Sequence, residues 1–172
     1  MMEKNYANIL VPVDGSVQAE LALKKAVAVA QQNDAHVDLL NVLRINHYGF
    51  YVSGSMPGGV IHDLAQDATS YLDSLVQTTR AATGFKDMAI HVRFGNPKTV
   101  ISHEFVRDHQ NDLIVLGATG MSAVARMVEG SVTAYVSRMA AVDVYVVRTD
   151  EDGKQIDASQ MAAENKDQPK FF

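Results

Sequence analysis

Glycines and small hydroxyl residues that could bind an anion are concentrated in the stretch DLIVLGATGMSAVARMVEGSVT, residues 112–133. It begins with an apolar segment, turns at two glycines, and reaches a third glycine after nine intervening residues, where a helical period begins. Backbone N–H groups in a glycine-rich turn or at a helix N-terminus can face an anion and carry partial positive charge. The pattern therefore favours a phosphate site. Its residues are Gly117, Gly120, Gly130, Ser131, Val132 and Thr133.

Short apolar runs and helical stripes alternate along the chain. Such runs suit strands that are buried on both faces of a parallel sheet. They occur at residues 7–13, 35–43, 88–94, 113–116 and 142–147. Helices are predicted between them, after Ser16, from about residue 61 to 79, from Pro97 and from about Ser131. This alternation predicts an α/β fold: a doubly wound five-stranded parallel sheet with helices on both faces.

Local signals mark the ends of these helices. Ser16 is the predicted N-cap of the first, Gly84 a stop signal for the second, and Pro97 suits the first position of the third. The stripe of the helix at 61–79 consists of Ile61, Leu64, Ala65, Ala68, Leu72, Leu75 and Val76. The third helix is expected to bury Val100, Ile101 and Phe105, and the last one Val132, Tyr135, Val136, Met139 and Ala140.

Two candidate residues follow strands directly. Asp14 follows the first predicted strand and Gly117 the fourth. In open α/β sheets, ligands bind at the carboxyl ends of the strands where the strand order reverses. If the first and fourth strands are neighbours, both residues lie on one rim. Residues 1–149 are predicted to form one domain, with a long loop at 44–60 and a mobile acidic tail at 150–172.

Composition narrows the classes of partner. The formal charge of -5 gives no reason to expect nucleic acid or an anionic membrane as a partner. The absence of cysteine excludes disulfides, thiolate metal sites and thiol nucleophiles. No apolar stretch is long enough to span a bilayer, and the start MMEKNYANIL lacks the pattern of a signal peptide. A cytoplasmic protein is expected.

Several catalytic patterns are missing. The chain has no G-x-x-x-x-G-K-[ST] motif of a P-loop and no G-x-S-x-G elbow of a serine hydrolase. Its six histidines show no metal-ligand spacing and fall on different predicted elements. They are interpreted as surface or packing residues, and no residue is assigned as catalytic.

The opening ILVPVDGS at 9–16, together with the G-x-x-G, nine residues, G-S-V-T pattern, resembles the ATP-binding branch of the universal stress protein family. The resemblance extends over about residues 6–148 and implies the same five-stranded sheet. It also implies that Pro12 and Val42 line an adenine, that Asp14 lies near the ribose or a Mg²⁺ ion, and that Thr119 faces the phosphates. The implied ligand is ATP, or AMP or ADP, with Mg²⁺ carried on the phosphates.

The chain departs from the family pattern at two positions. Relatives often carry Arg or His where Thr119 stands, and a hydroxyl cannot supply their charge-assisted hydrogen bond. Arg126 is a candidate replacement within the same loop. The resemblance also implies a homodimer through the strand at Val142–Val147, where Asp143 replaces a common proline. The alternative is that a helix or the tail covers this edge within one subunit.

Three functions remain open at this point. The first is an ATP-binding regulatory protein of the stress response, acting as a homodimer whose nucleotide state modulates its conformation or partners. The second is an enzyme that slowly hydrolyses ATP or transfers its phosphoryl or adenylyl group, with Asp14 as metal ligand or base. The third is a nucleotide-independent dimeric interaction protein.

Overall fold

Five strands and four helices are present in a computed structural model that describes residues 5–44, 58–118 and 130–148. The third helix, α3, spans 97–109 in three consecutive parts: Pro97–Thr99, a π-helical part Val100–Glu104, and Phe105–His109. In chain order the elements are β1 (Asn8–Pro12), α1 (Val17–Asn33), β2 (His36–Leu43), α2 (Gly58–Thr83), β3 (Met88–Phe94), α3, β4 (Leu113–Gly117), α4 (Ser131–Met139) and β5 (Asp143–Val147).

All five strands are parallel and lie in the order β3-β2-β1-β4-β5. The predicted fold class is therefore confirmed. The first and fourth strands are neighbours, with Ile9 opposite Leu113 and Leu10 opposite Ile114. Strands β2 and β3 are added on one side of β1, and β4 and β5 on its other side. The strand order therefore reverses between β1 and β4. This is the position at which ligands bind in such sheets.

Apolar residues of the central strands are buried on both faces of the sheet. Ile9 and Val11 of β1 face the layer formed by α1 and α2, whereas Leu10 faces the layer formed by α3 and α4. All four leading residues of β4 are buried as well. The apolar runs in the sequence follow directly from this two-sided burial, because neither face of these strands meets water.

Helix α1 begins after its predicted N-cap, Ser16. The Ser16 hydroxyl accepts a hydrogen bond from the Ala19 backbone N–H at 3.2 Å. At the other end Asp34 adopts a left-handed conformation with φ 54°, and its N–H donates to the Ala30 carbonyl. The stripe of α1 is buried against the sheet: Ala19, Ala22, Leu23, Ala26, Val27 and Ala30.

The third helix begins at Pro97, where the Asn96 side chain accepts a hydrogen bond from the Lys98 N–H at 3.0 Å. Val100, Ile101 and Phe105 are buried, as the sequence predicts. The π-helical part was not predicted, because a single wide turn leaves the apolar spacing of so short a helix almost unchanged.

Two predicted core residues are exposed. Leu64 is 45% exposed, because the buried residues of α2 begin only at Ala68. Met139 is 48% exposed, since it is the last residue of α4 and the chain leaves helical geometry at Ala140. The second helix also extends beyond its predicted bounds at both ends, so residues 58–60, predicted as loop, belong to it.

Some predictions fall on parts of the chain outside the described residues. They concern residues 45–57 of the loop predicted at 44–60, and the whole acidic tail predicted at 150–172. The proposed boundary between domain and tail stays a prediction. Among the described helices, none has the length and apolar character needed to cross a membrane.

Candidate functional site

The carboxyl end of β1 is tied to its neighbour β2. The Val13 N–H donates to the Leu40 carbonyl at 2.8 Å, and the Asn41 side chain donates to the Val13 carbonyl at 2.9 Å. Asp14 follows at the surface, and its Oδ1 accepts a hydrogen bond from the Ser16 N–H at 3.1 Å. Gly15 has a φ of 86°, which favours glycine there. A carboxylate is thus held on the rim by a tight turn.

Gly117 ends β4 and is buried against α1. A Cβ atom at this position would lie 2.8 Å from Gln18 Cβ and 2.9 Å from the Gln18 carbonyl oxygen. These distances are shorter than real side-chain contacts, and Gly117 is not among the described glycines with positive φ. The absence of a Cβ at Gly117 therefore has a packing reason, because the first turn of α1 lies against it. The assignment of Gly117 to the phosphate site stays a prediction.

The segment that joins β4 to α4 is closed at its base. The Gly130 N–H donates to the Ala118 carbonyl at 2.7 Å, and the Ala118 N–H donates to the Val147 carbonyl at 2.9 Å. The buried Thr133 hydroxyl donates to the Gly117 carbonyl at 2.8 Å. These bonds hold the start of α4 beside the end of β4. The Thr133 hydroxyl, which the sequence analysis placed in the phosphate site, thus donates its hydrogen bond to the protein backbone. Ser131, by contrast, is exposed.

The amino terminus of α4 has the properties of an anion site. Gly130 is its N-cap, with extended geometry and no side-chain hydrogen bond to the helix. The first backbone bond of the helix runs from the Ala134 N–H to the Gly130 carbonyl at 2.9 Å. The N–H groups of residues 131–133 precede that bond and have no acceptor within the helix. They also lie at the positive end of the helix dipole.

Pro12 and Val42 lie on the same face of the sheet as α4. Each follows by two positions a residue that is buried on this face, Leu10 in β1 and Leu40 in β2. Side chains two apart along a strand point the same way. Both predicted adenine-lining residues are half-buried near strand ends. The structure thus brings together on one rim Pro12, Asp14, Val42, Gly117, Gly130, Ser131, Val132 and Thr133, whereas Thr119, Gly120 and Arg126 lie outside the described residues.

A second polar cluster lies on β2 and β3 between their amino ends and their middle, and the sequence analysis did not predict it. The Asp38 carboxylate of β2 is buried, with Oδ1 2.8 Å from His91 Nε2 and 3.3 Å from His36 Nε2. Its Oδ2 accepts a hydrogen bond from the Asn111 side chain at 2.8 Å. The ring of His109 lies 4.6 Å from that of His91. One feature of the sequence could have indicated this cluster. His36 and Asp38 are two positions apart in β2, on a face whose other residues, Leu40 and Val42, are apolar.

Hydrogen bonds determine the charge state of this cluster. Burial by itself would raise the pKa of Asp38, but hydrogen bonds from His91 and Asn111 and the charges of His36 and His91 outweigh it, so the pKa lies below its ordinary value. For His36, burial opposes protonation, yet the contacts with Asp87 and Asp38 raise its pKa. Burial and the neighbouring His91 lower the pKa of His109. The carboxylate is therefore ionised, beside a His109 ring that favours its neutral form.

Comparisons with known proteins agree with this architecture. The model of the universal stress protein family matches residues 5–148. A putative universal stress protein of Staphylococcus epidermidis is 36% identical over 152 residues, covering 86% of this chain and 87% of that protein. The structure of the universal stress protein UspA from Lactobacillus plantarum superimposes with a TM-score of 0.69 at 32% identity, covering 85% of this chain and 100% of that one.

Two more distant solved structures contain nucleotides. A universal stress protein in complex with cAMP has a TM-score of 0.66 at 24% identity, covering 86% of this chain and 100% of that one. One from Archaeoglobus fulgidus in complex with dAMP has a TM-score of 0.58 at 20% identity, covering 83% and 98%. At these identities the likeness concerns the fold. From the extent of the family match and the identity to the staphylococcal relative, the chain belongs to the universal stress protein family.

Proposed function

We propose that the protein is an adenine-nucleotide-binding regulator of the stress response, and that it binds ATP with Mg²⁺ on the rim formed by β1, β4 and α4. One observation carries the proposal. The N–H groups of the α4 amino terminus, which have no acceptor within the helix, lie beside the end of β4, next to β1, at the point where the strand order reverses. The complexes of two family members with cAMP and dAMP support an adenine nucleotide as the ligand class.

Each part of the nucleotide has a matching group on the rim. The half-buried Pro12 and Val42 offer an apolar wall for the adenine. The N–H groups of residues 131–133 would bind phosphate oxygens, with the exposed Ser131 hydroxyl as a further donor. The exposed Asp14 carboxylate offers oxygen atoms, which are the ligands that Mg²⁺ prefers. The cation would neutralise phosphate charge.

The regulatory part of the proposal rests on β5. This strand is one edge of the sheet, and its Tyr145 is 39% exposed. An apolar edge strand with unpaired backbone groups can pair with another chain. We infer that two copies associate through β5, and that nucleotide binding at α4, which leads directly into β5, changes the dimer or what it contacts.

Native mass spectrometry of the purified protein together with a melting curve in Mg-ATP tests this function. A ligand at 100 times its Kd stabilises the fold by about 2.7 kcal/mol. For a domain of this size that corresponds to a rise in Tm of roughly 5 to 10 °C. Magnesium tripolyphosphate is the matched control, because it has the phosphates without the adenine and should give a smaller rise. A Tm that does not respond to millimolar Mg-ATP contradicts the proposal.

A further inference from the structure

We propose that Asp38, His91 and His109 form a binding site for a divalent transition-metal ion of the Zn²⁺ type, separate from the nucleotide rim. The three side chains come from β2, β3 and the last turn of α3. Asp38 precedes Val42 by four residues in β2, about 13 Å along the strand, and His91 lies opposite Leu40, two residues or about 7 Å before Val42. None of the three ligands is assigned to the nucleotide, so the metal site can be tested independently of nucleotide binding.

The three candidate ligands lie near one another. One atom from each of the three residues can be chosen so that all lie within 4.8 Å of one another. Ligand atoms around a tetrahedral Zn²⁺ are separated by about 3.4 Å, since each Zn–N or Zn–O bond is about 2.0 to 2.1 Å. Asp38 Oδ1 and His91 Nε2, now 2.8 Å apart, would separate slightly as the cation replaces the proton that they share.

A supporting residue holds the carboxylate in place. Asn111 is buried, and its side-chain N–H donates to Asp38 Oδ2, which leaves Oδ1 directed at the histidines. The carbonyl oxygen of the same Asn111 amide is buried and has no hydrogen-bond partner among the described residues. A buried acceptor of this kind needs a donor. A water molecule on the open fourth position of the metal could supply it, as second-shell partners do in known metal sites.

The ligand set selects the metal. Two imidazoles and one carboxylate suit Zn²⁺ and its first-row neighbours, whereas Mg²⁺ and Ca²⁺ require oxygen ligands. Three protein ligands with an open position are typical of an exchangeable or catalytic Zn²⁺ site rather than a closed structural one. The ion would enter from the cleft next to the cluster, which is lined by Arg93, Phe94, Val100, Glu104, Phe105 and Asp108.

Arg93 competes with the metal. Its guanidinium Nη2 donates a hydrogen bond to His109 Nε2 at 3.3 Å, so a metal ion bound through that nitrogen would have to displace it. Arg93 is exposed, so it can leave the ring without disturbing the core. Its positive charge nevertheless opposes a second cation nearby. Removal of this side chain should therefore tighten metal binding, which a purely structural cluster would not predict.

Calorimetric titration of the metal-free, untagged protein with ZnCl₂ tests the site, with Co²⁺ absorption as a report on coordination. One Zn²⁺ should bind per chain, and an excess of Mg²⁺ should not displace it. His91→Gln and His109→Gln should each weaken binding by at least about 10-fold. His62→Gln, which changes an exposed histidine of α2, is the matched control and should bind like the wild type.

Arg93→Gln gives an independent test, because it leaves the buried cluster intact even if a histidine variant fails to fold. It should raise the Zn²⁺ affinity by roughly 3- to 10-fold. Absence of stoichiometric Zn²⁺ binding overturns the proposal. So does an equal loss in His62→Gln and His91→Gln, which would indicate adventitious binding to surface histidines, or an unchanged affinity in Arg93→Gln.

Discussion

At the scale of single residues, two glycines of one motif serve different physical purposes. Gly117 is in contact with the backbone of Gln18, so its lack of a Cβ allows β4 to approach α1. Gly130 has φ -60° and ψ 150°, a conformation open to any residue, and caps the helix that would face the ligand. Substitutions at the two positions should therefore separate stability from ligand binding.

Gly117→Ala should destabilise the fold. The added methyl would lie 2.8 to 2.9 Å from atoms of Gln18, and two of those three atoms belong to the backbone, which cannot move aside as a flexible side chain would. Overpacking of this kind costs about 1 to 3 kcal/mol. Urea unfolding measures the change, with Gly59→Ala as control because, apart from its chain neighbours and the backbone of its own helix, none of the described residues has an atom within 4 Å of the added methyl. Equal midpoints for the two variants would contradict the packing reason.

Gly130→Val should weaken ATP binding by at least about 10-fold while changing the free energy of unfolding by less than about 1 kcal/mol. The new side chain would stand in front of the N–H groups that we assign to the phosphates, whereas the backbone geometry is unchanged. Affinity is measured by calorimetry and folding by urea denaturation. Equal ATP affinity in variant and wild type would show that the phosphates bind elsewhere.

At the scale of elements, β5 has a protected side and an open side. The Val147 carbonyl accepts a hydrogen bond from Ala118, so the backbone groups of Val147 face β4. Backbone direction alternates along a strand in a parallel ladder. The N–H and C=O groups of Val144 and Val146 therefore point away from β4, toward the edge that we assign to the dimer.

Val146→Pro should weaken the dimer by at least about 10-fold, because proline removes an outward N–H that β4 does not use. Val146→Thr is the matched control, since it keeps both the N–H and the branched shape. Sedimentation equilibrium of the two variants measures the association constant. A dimer of unchanged strength in Val146→Pro would place the interface on another surface, and a monomeric wild type would remove the basis for a β5 dimer.

At the scale of the whole molecule, the two proposed sites lie at different depths of one rigid sheet. The rim uses the carboxyl ends of the strands, whereas the Asp38 cluster lies before them, at the third residue of β2 and the middle residue of β3. No described helix belongs to both sites: α4 serves the rim and α3 the cluster. Sites without shared ligands in a close-packed core are expected to act independently.

Nucleotide and Zn²⁺ should therefore bind additively. The ATP affinity measured with saturating Zn²⁺ is expected to differ by less than about 2-fold from that of the metal-free protein, a coupling below about 0.4 kcal/mol. Calorimetric titration in both orders checks this, and each order must give the same coupling. A coupling of 10-fold or more would contradict independent binding at two separate sites.

Much of this fold could be read from local sequence patterns. β3 was predicted with its observed bounds, and β4 to within one residue, because strands within a layered sheet are apolar over their full length. Ser16 and Pro97 were recognised because capping depends on a few neighbouring residues. The exposed Met139 was mispredicted because helical period alone does not reveal where the helix leaves the sheet.

The sequence by itself determined the alternation of elements, the positions of their caps and the placing of Asp14 and Gly117 directly after the first and fourth strands, whereas the pairing of those two strands was established by the structure. These depend on interactions between residues close in the chain, or on burial that covers a whole element. Only the tertiary structure decided that Gly117 meets Gln18, that the Thr133 hydroxyl is committed to the Gly117 carbonyl, and that Asp38 lies beside His91 and Asn111. Each of these contacts joins residues that are distant in the sequence, so neither hydrophobic periodicity nor motif spacing can predict it.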